Sequence, residues 1–126
     1  MERGDKEVTK TIALCGVSQE IACKLEDYSG CRLLYFGDEP EQRGDVKLAY
    51  FLRDDGSIDF AIVGYLGAMG LAACDYLRTQ SSRLPILWLC DRKEFEMEAS
   101  RLGVAFYGTG PPDLERLAAQ LTLERH

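Results

Sequence analysis

Histidine is nearly missing: the only one is His126, the last residue. A Ser or Cys nucleophile therefore has no internal imidazole base, and histidine ligation of a metal has no candidate, which sets hydrolase chemistry of those kinds aside. Also missing is any apolar stretch near the roughly 18 residues that a membrane span needs, and the N-terminus shows no signal pattern. The five cysteines, Cys15, Cys23, Cys31, Cys74 and Cys90, are odd in number, lack CxxC spacing and mostly sit in apolar runs. They read as compact buried hydrophobes in a reducing cytoplasm. Cations are outnumbered, 15 Lys and Arg against 21 Asp and Glu, for a net charge of −6. The clustered basic residues that hold nucleic-acid phosphates are not expected, so no nucleic-acid partner is expected either.

What is present is a chain of 126 residues, 46% hydrophobic, enough to bury one core without staples. Residues 1–10 form a polar arm and 11–126 a single domain. Thr11-Ile-Ala-Leu-Cys-Gly-Val17 predicts a buried strand, and Ser18 is placed as the N-cap of a helix with Ile21, Leu25 and Tyr28 on one face, stopped by Gly30. Cys31 to Phe36 predicts a second strand, followed by a Gly, Pro and acid-rich loop and a helix over Val46 to Arg53. Ile58 to Val63 is apolar nearly throughout, as expected of a strand covered on both faces of a parallel sheet.

A third helix carries Leu71, Cys74 and Leu77 and breaks at Ser81-Ser82. Leu84 to Cys90 predicts the fourth strand and Arg92 to Leu102 a charged helix with Phe95, Ala99 and Leu102 inward. Val104 to Tyr107 predicts the fifth strand. Beyond Pro111 and Pro112, a last helix places Leu114, Leu117, Ala118 and Leu121 on one stripe. Alternating strands and helices with right-handed crossovers give a flavodoxin-like (βα)5 three-layer α/β sandwich, its parallel five-stranded sheet in the order 2-1-3-4-5.

Ligands and reactive groups of such a sheet gather at the carboxyl ends of the strands. The residues expected there are Gly16, Val17, Ser18, Gly64, Tyr65, Cys90, Asp91, Thr109 and Gly110, among which only Asp91 is an ionisable oxygen ligand. Gly64-x-x-Gly67-x-x-Gly70 precedes a helix as phosphate-cradling loops do, but it is neither G-x-G-x-x-G nor a P-loop. Tight backbone turning explains it equally well. Cys90 has only Arg92 nearby to lower its pKa.

In order and spacing, Ile12 to Ser18, Asp59 to Gly64, Leu84 to Cys90 and Gly103 to Pro111 resemble the receiver domain of two-component response regulators, in wording closest to the LytTR class. The resemblance spans about residues 11 to 122. It implies a bacterial signalling module whose metal-holding acidic pair falls on Gly16 and Val17, phosphoacceptor aspartate on Gly64, hydroxyl switch on Cys90 and phosphate-pairing lysine on Gly110. None of those groups is present. Mg²⁺ would lack its hard anionic ligands and the phosphoryl group its nucleophile.

The family's aromatic switch falls on Tyr107, which equally fits simple packing, and its proline on Pro111. The resemblance thus implies a pseudo-receiver that is not an enzyme, takes no metal or cofactor, and acts by protein-protein interaction or as a homodimer. The face expected for that role is made by helix 4, strand 5 and helix 5, with Met97 and Arg101 on it. A flavodoxin-like binder of phosphate or flavin, and the receiver part of a longer response regulator, are the alternative readings.

Overall fold

The structure, a computed structural model, describes residues 11–29, 32–37, 43–54, 58–90, 92–104 and 106–109. The elements are β1 (Thr11–Cys15), α1 (Gln19–Ser29), β2 (Arg32–Tyr35), α2 (Gly44–Arg53), β3 (Phe60–Val63) and α3 (Ala68–Gln80). Then follow β4 (Ile86–Cys90), a 3-10 turn (Lys93–Phe95) running into α4 (Glu96–Leu102), and β5 (Phe106–Thr109). All strand pairs are parallel and the order is β2-β1-β3-β4-β5. The expected last helix, the loop acids Asp38, Glu39 and Glu41, and the positions Cys31, Asp91, Gly110 and Pro111 lie outside the described residues.

The strands are apolar at nearly every position because successive side chains enter two different cores. Ala13, Cys15, Ala61, Val63, Ile86, Trp88 and Cys90 face one layer, where they meet Leu48 of α2, Ala73, Cys74 and Leu77 of α3, and Ala99 and Leu102 of α4. Ile12, Leu14, Phe60, Ile62 and Leu87 face the other, where they meet Val17 and, on α1, Ala22 and Ile21. Trp88 is fully buried and stacks on Phe95, ring centroids 5.9 Å apart, which draws the start of α4 onto the sheet. Ser18 caps α1 as expected, its Oγ accepting the Ile21 N–H at 3.3 Å. The side chains of Leu25, Tyr28 and Tyr107 lie outside those described.

Several boundaries depart from the sequence-based expectation by a residue or two, and three of them have a clear local reason. The fifth strand starts at Phe106 rather than Val104 because α4 ends in a Schellman turn: Gly103 is left-handed (φ 68°), its N–H bonds to the Ser100 carbonyl, and the Val104 N–H bonds to that of Ala99. Val104's donor is therefore spent before the sheet begins. The helix expected over Arg92 to Leu102 opens as a 3-10 turn, with the Phe95 N–H on the Arg92 carbonyl. Helix α2 begins at Gly44 rather than Val46, because a side chain from a distant loop satisfies its first free amide.

Candidate functional site

At the carboxyl end of the sheet, β1 and β3 run side by side with Cys15 opposite Val63. Beyond that register the Gly64 N–H bonds to the Cys15 carbonyl at 2.7 Å, and the Gly16 N–H bonds across to the Gly37 carbonyl at 2.8 Å. Gly16, Val17 and Gly64 are thus brought together, but by backbone contact. A Cβ on Gly64 would lie 2.7 Å from the Gly16 carbonyl oxygen and 3.6 Å from Val17 Cγ2. A Cβ on Gly16 would lie 2.5 Å from the Tyr65 ring and 2.7 Å from the Tyr65 nitrogen, and Gly16 sits at φ +79°. Neither site has room for a side chain, so the two glycines are what lets the strand ends close on one another.

Tyr65 closes what remains. Its side chain is only 4% exposed, and its hydroxyl accepts the Gly44 N–H and donates to the Gly37 carbonyl, both at 3.0 Å. One phenol therefore ties the β3–α3 loop to both flanks of the β2–α2 loop and caps α2, whose N-cap residue, Arg43, makes no side-chain capping bond. Arg43, at φ 50°, instead grips Asp45 in the first turn of α2, with Nε on Oδ1 and a terminal nitrogen on Oδ2, both at 3.1 Å. Asp45 is the only buried charged residue among those described, 3% exposed. The pair and the favourable helix N-terminus offset the cost of desolvating it.

Three thiols stand in the same core layer. Burial, and after it the charge of Asp45, pushes the Cys15 thiol up to about 12. Cys74 is raised too, first by burial and then by Cys15 and Cys90. Both are protonated hydrophobes at neutral pH, not nucleophiles. The Cys90 sulfur accepts the Arg92 N–H and donates to the Arg92 carbonyl, each at 3.4 Å. The Arg92 guanidinium itself turns to Glu94, at 2.7 and 3.0 Å, and over the Phe95 ring, so the one cation expected to activate Cys90 is directed elsewhere. Among the described residues no group of three or more His, Cys, Asp or Glu side chains is placed to hold a metal ion.

Two of the three glycine amides in the glycine-rich loop are already engaged within the protein. The Gly64 N–H is spent on Cys15, the Gly70 N–H on the Gly67 carbonyl at 3.1 Å, and the space at Gly70 is filled by the Tyr65 carbonyl. The loop's glycines allow close backbone approach around Tyr65.

No family model and no curated protein matches the sequence. Solved structures do. A DNA-binding response regulator of the LuxR family from Staphylococcus aureus gives a TM-score of 0.71 at 12% identity, over 93% of this chain and 99% of that one. A response regulator from Thermotoga maritima gives 0.69 at 15%, over 93% and 98%. Chemotaxis protein CheY4 of Vibrio cholerae gives 0.66 at 19%, over 93% and 98%. The chain has the receiver fold. At these identities the likeness is one of fold, and the chemistry of this receiver-like domain has to be read from its own residues.

Tyr65 stands at the expected site, but its role and that of Arg78 are not marked in the sequence. The role of Tyr65 depends on Gly16 and Gly44, which lie far away in the chain. Arg78, near the end of α3, belongs to no motif. Its guanidinium donates to five carbonyls, of Leu102 (2.8 Å), Leu84 (2.6 Å), Ser81, Ser82 and Gly103 (each 3.3 Å). It thereby fastens the carboxyl ends of α3 and α4 to the start of β4. A basic residue in the last turn of a helix was the only signal available. Of the surface residues expected on the α4 face, Met97 is 81% exposed and Arg101 is exposed. Tyr107 lies in β5 opposite Trp88. Among the described residues no helix is long and apolar enough to cross a membrane.

Proposed function

We propose that this domain is a pseudo-receiver: a receiver-like signalling module that takes no phosphoryl group and acts by binding protein partners in bacterial two-component or transcriptional regulation. The observation that carries this reading is the 2.7 Å between the Cβ position of Gly64 and the Gly16 carbonyl. Where a phosphoaccepting chain needs room for a carboxylate, a metal ion and an incoming phosphoryl group, this chain has two backbones in contact with a tyrosine packed against them. No nucleophile, anionic ligand set or counter-cation stands in that space among the described residues, so the reading assigns no enzymatic step.

With Tyr65 fixing the loops around the strand ends, one surface state is held without phosphate, and binding through it is constitutive. The exposed Met97 supports placing the partner surface on the α4 side. The test is incubation of the purified protein with acetyl phosphate and Mg²⁺, followed by phosphate-affinity electrophoresis. The expected result is an unshifted band. An acid- and base-labile phosphorylated species would overturn the reading, and Asp91 would be the first residue to replace.

A further inference from the structure

The other end of the sheet carries a concavity that the receiver reading does not use. A cleft of about 390 Å³ opens between the carboxyl ends of α3 and α4, and among its described lining residues are Arg78, Arg83 and Arg101 but no acid. The other described residues of its wall are Ser82, Leu84, Pro85, Leu102 and Gly103. Three arginines on one small concavity are unexpected in a chain of net charge −6. General basicity does not explain them.

The three have different roles. Arg78 is half-buried, and its donors are directed to the five carbonyls named above rather than to a carboxylate. It is a fixed positive charge that, among the described residues, meets carbonyl dipoles and no carboxylate, and it also covers the negative ends of both helices. Arg83 and Arg101 are exposed, and among the described residues neither forms an ion pair or side-chain hydrogen bond. Their planar guanidinium forks remain available and match the geometry of phosphate oxygens. The volume falls at the small end of ligand clefts, enough for one or two phosphate groups with a short substituent.

From this arrangement we propose that the cleft is a binding site for a small phosphorylated ligand, gripped by Arg83 and Arg101 over the charge of Arg78. The site lies at the opposite end of the sheet from the closed strand ends, and it stands whether or not the domain accepts a phosphoryl group.

The experiment is a titration of the full chain with inorganic phosphate and then pyrophosphate, followed by amide and arginine Nε–H NMR signals, with chloride at matched ionic strength as the control. Saturable shifts confined to Ser82, Arg83, Leu84 and Arg101 to Val104 are expected, pyrophosphate binding more tightly. Arg83→Gln and Arg101→Gln should each weaken binding, and together by at least about tenfold, with an unchanged melting temperature. Shifts that fail to saturate, that chloride reproduces, or that persist in the double variant would overturn the proposal. Tighter binding of an acidic, unphosphorylated peptide than of pyrophosphate would also overturn it, in favour of a protein partner at this cleft.

Discussion

The two ends of this sheet exchange the character that the receiver fold leads one to expect. At the carboxyl end, where charge and open space would serve phosphoryl chemistry, the backbones of Gly16 and Gly64 touch and Tyr65 fills the gap. At the amino end, where loops merely connect, Arg78, Arg83 and Arg101 converge on a cleft. One end is closed by small residues and a single phenol, and the other is clamped by a guanidinium beside an arginine-lined cleft. The comparison teaches that a shared fold fixes where the strands end and leaves open what those ends hold.

The largest effect is expected from placing a carboxylate at the closed end. Gly64→Asp should lower the unfolding free energy by about 3 kcal/mol or more, since a Cβ meets backbone that cannot swing aside and the new charge is desolvated. Urea denaturation measures it, and Gly64→Ala separates the steric part from the charge. The variant should also fail to bind Mg²⁺ by calorimetry, one carboxylate being too few for a hard cation that prefers several oxygen ligands. A stable Gly64→Asp protein that binds Mg²⁺ at millimolar affinity would show that the carboxyl end is open.

The amino end breaks through Arg78. Arg78→Gln leaves most of its five carbonyl acceptors without their charged donor, at a cost of about 2–3 kcal/mol. Hydrogen exchange should quicken first at Gly103 and Val104, whose turn the guanidinium fastens. A uniform quickening would mean that Arg78 stabilises the domain as a whole and not this junction.

How much of this was legible in the sequence follows from what each feature depends on. The doubly covered parallel sheet was legible because near-continuous apolar runs such as Phe60 to Val63 report coverage on both faces, and its order followed from the flavodoxin-like arrangement of a (βα)5 chain. That no acid stands at positions 16, 17 and 64 was legible too, since it is a matter of residue identity. What fills the space there was not, because the Gly16 to Tyr65 contact and the Tyr65 cap on α2 join residues from different loops. Arg78 was hidden for the same reason. Its partners lie on α4, the α3–β4 loop and the start of β4, and no local pattern marks a carbonyl acceptor.

Tyr65→Phe is a finer test of the closed end, since it keeps the ring and removes two hydrogen bonds. It should cost about 1–2 kcal/mol, the Gly44 N–H and Gly37 carbonyl losing a buried partner. If loop closure also holds the partner-binding surface, a protein captured by the native chain should be captured less well by this variant. Undiminished capture would uncouple the closed end from the binding face.

Cys15 gives a pH-dependent reading of the same core. Its folded pKa of about 12 lies above the ordinary 9.0, so the folded protein holds the thiol proton more tightly than the unfolded chain. The stabilisation is complete below pH 9 and declines as the pH rises towards 12. By pH 10 the loss is roughly 1–1.5 kcal/mol. Cys15→Ala should remove this share of the alkaline slope while Cys74, raised in the same direction, keeps its own. An unaltered slope would place the alkaline transition elsewhere. In the native state a thiol reagent should reach the exposed Cys23 well before the buried Cys15, Cys74 and Cys90.

The smallest expected effect on stability is the one that separates the proposed partner face from both ends of the sheet. Met97 projects from the first turn of α4 at 81% exposure, and it does not line the arginine cleft. Met97→Glu removes no core contact and should stay within about 0.5 kcal/mol of the parent by thermal unfolding. It also adds a negative charge beside Glu96 and Glu98, in the first turn where the helix dipole tolerates acids. Phosphate titration should be unaffected, because the cleft's cations are untouched. Self-association in sedimentation, or capture of a protein partner, should nevertheless fall, since a charge at the centre of an apolar contact cannot be desolvated cheaply. If sedimentation and capture are both unchanged, the partner surface lies elsewhere, and the exposed Leu66 and Met69 beside the Tyr65 closure are the next residues to substitute.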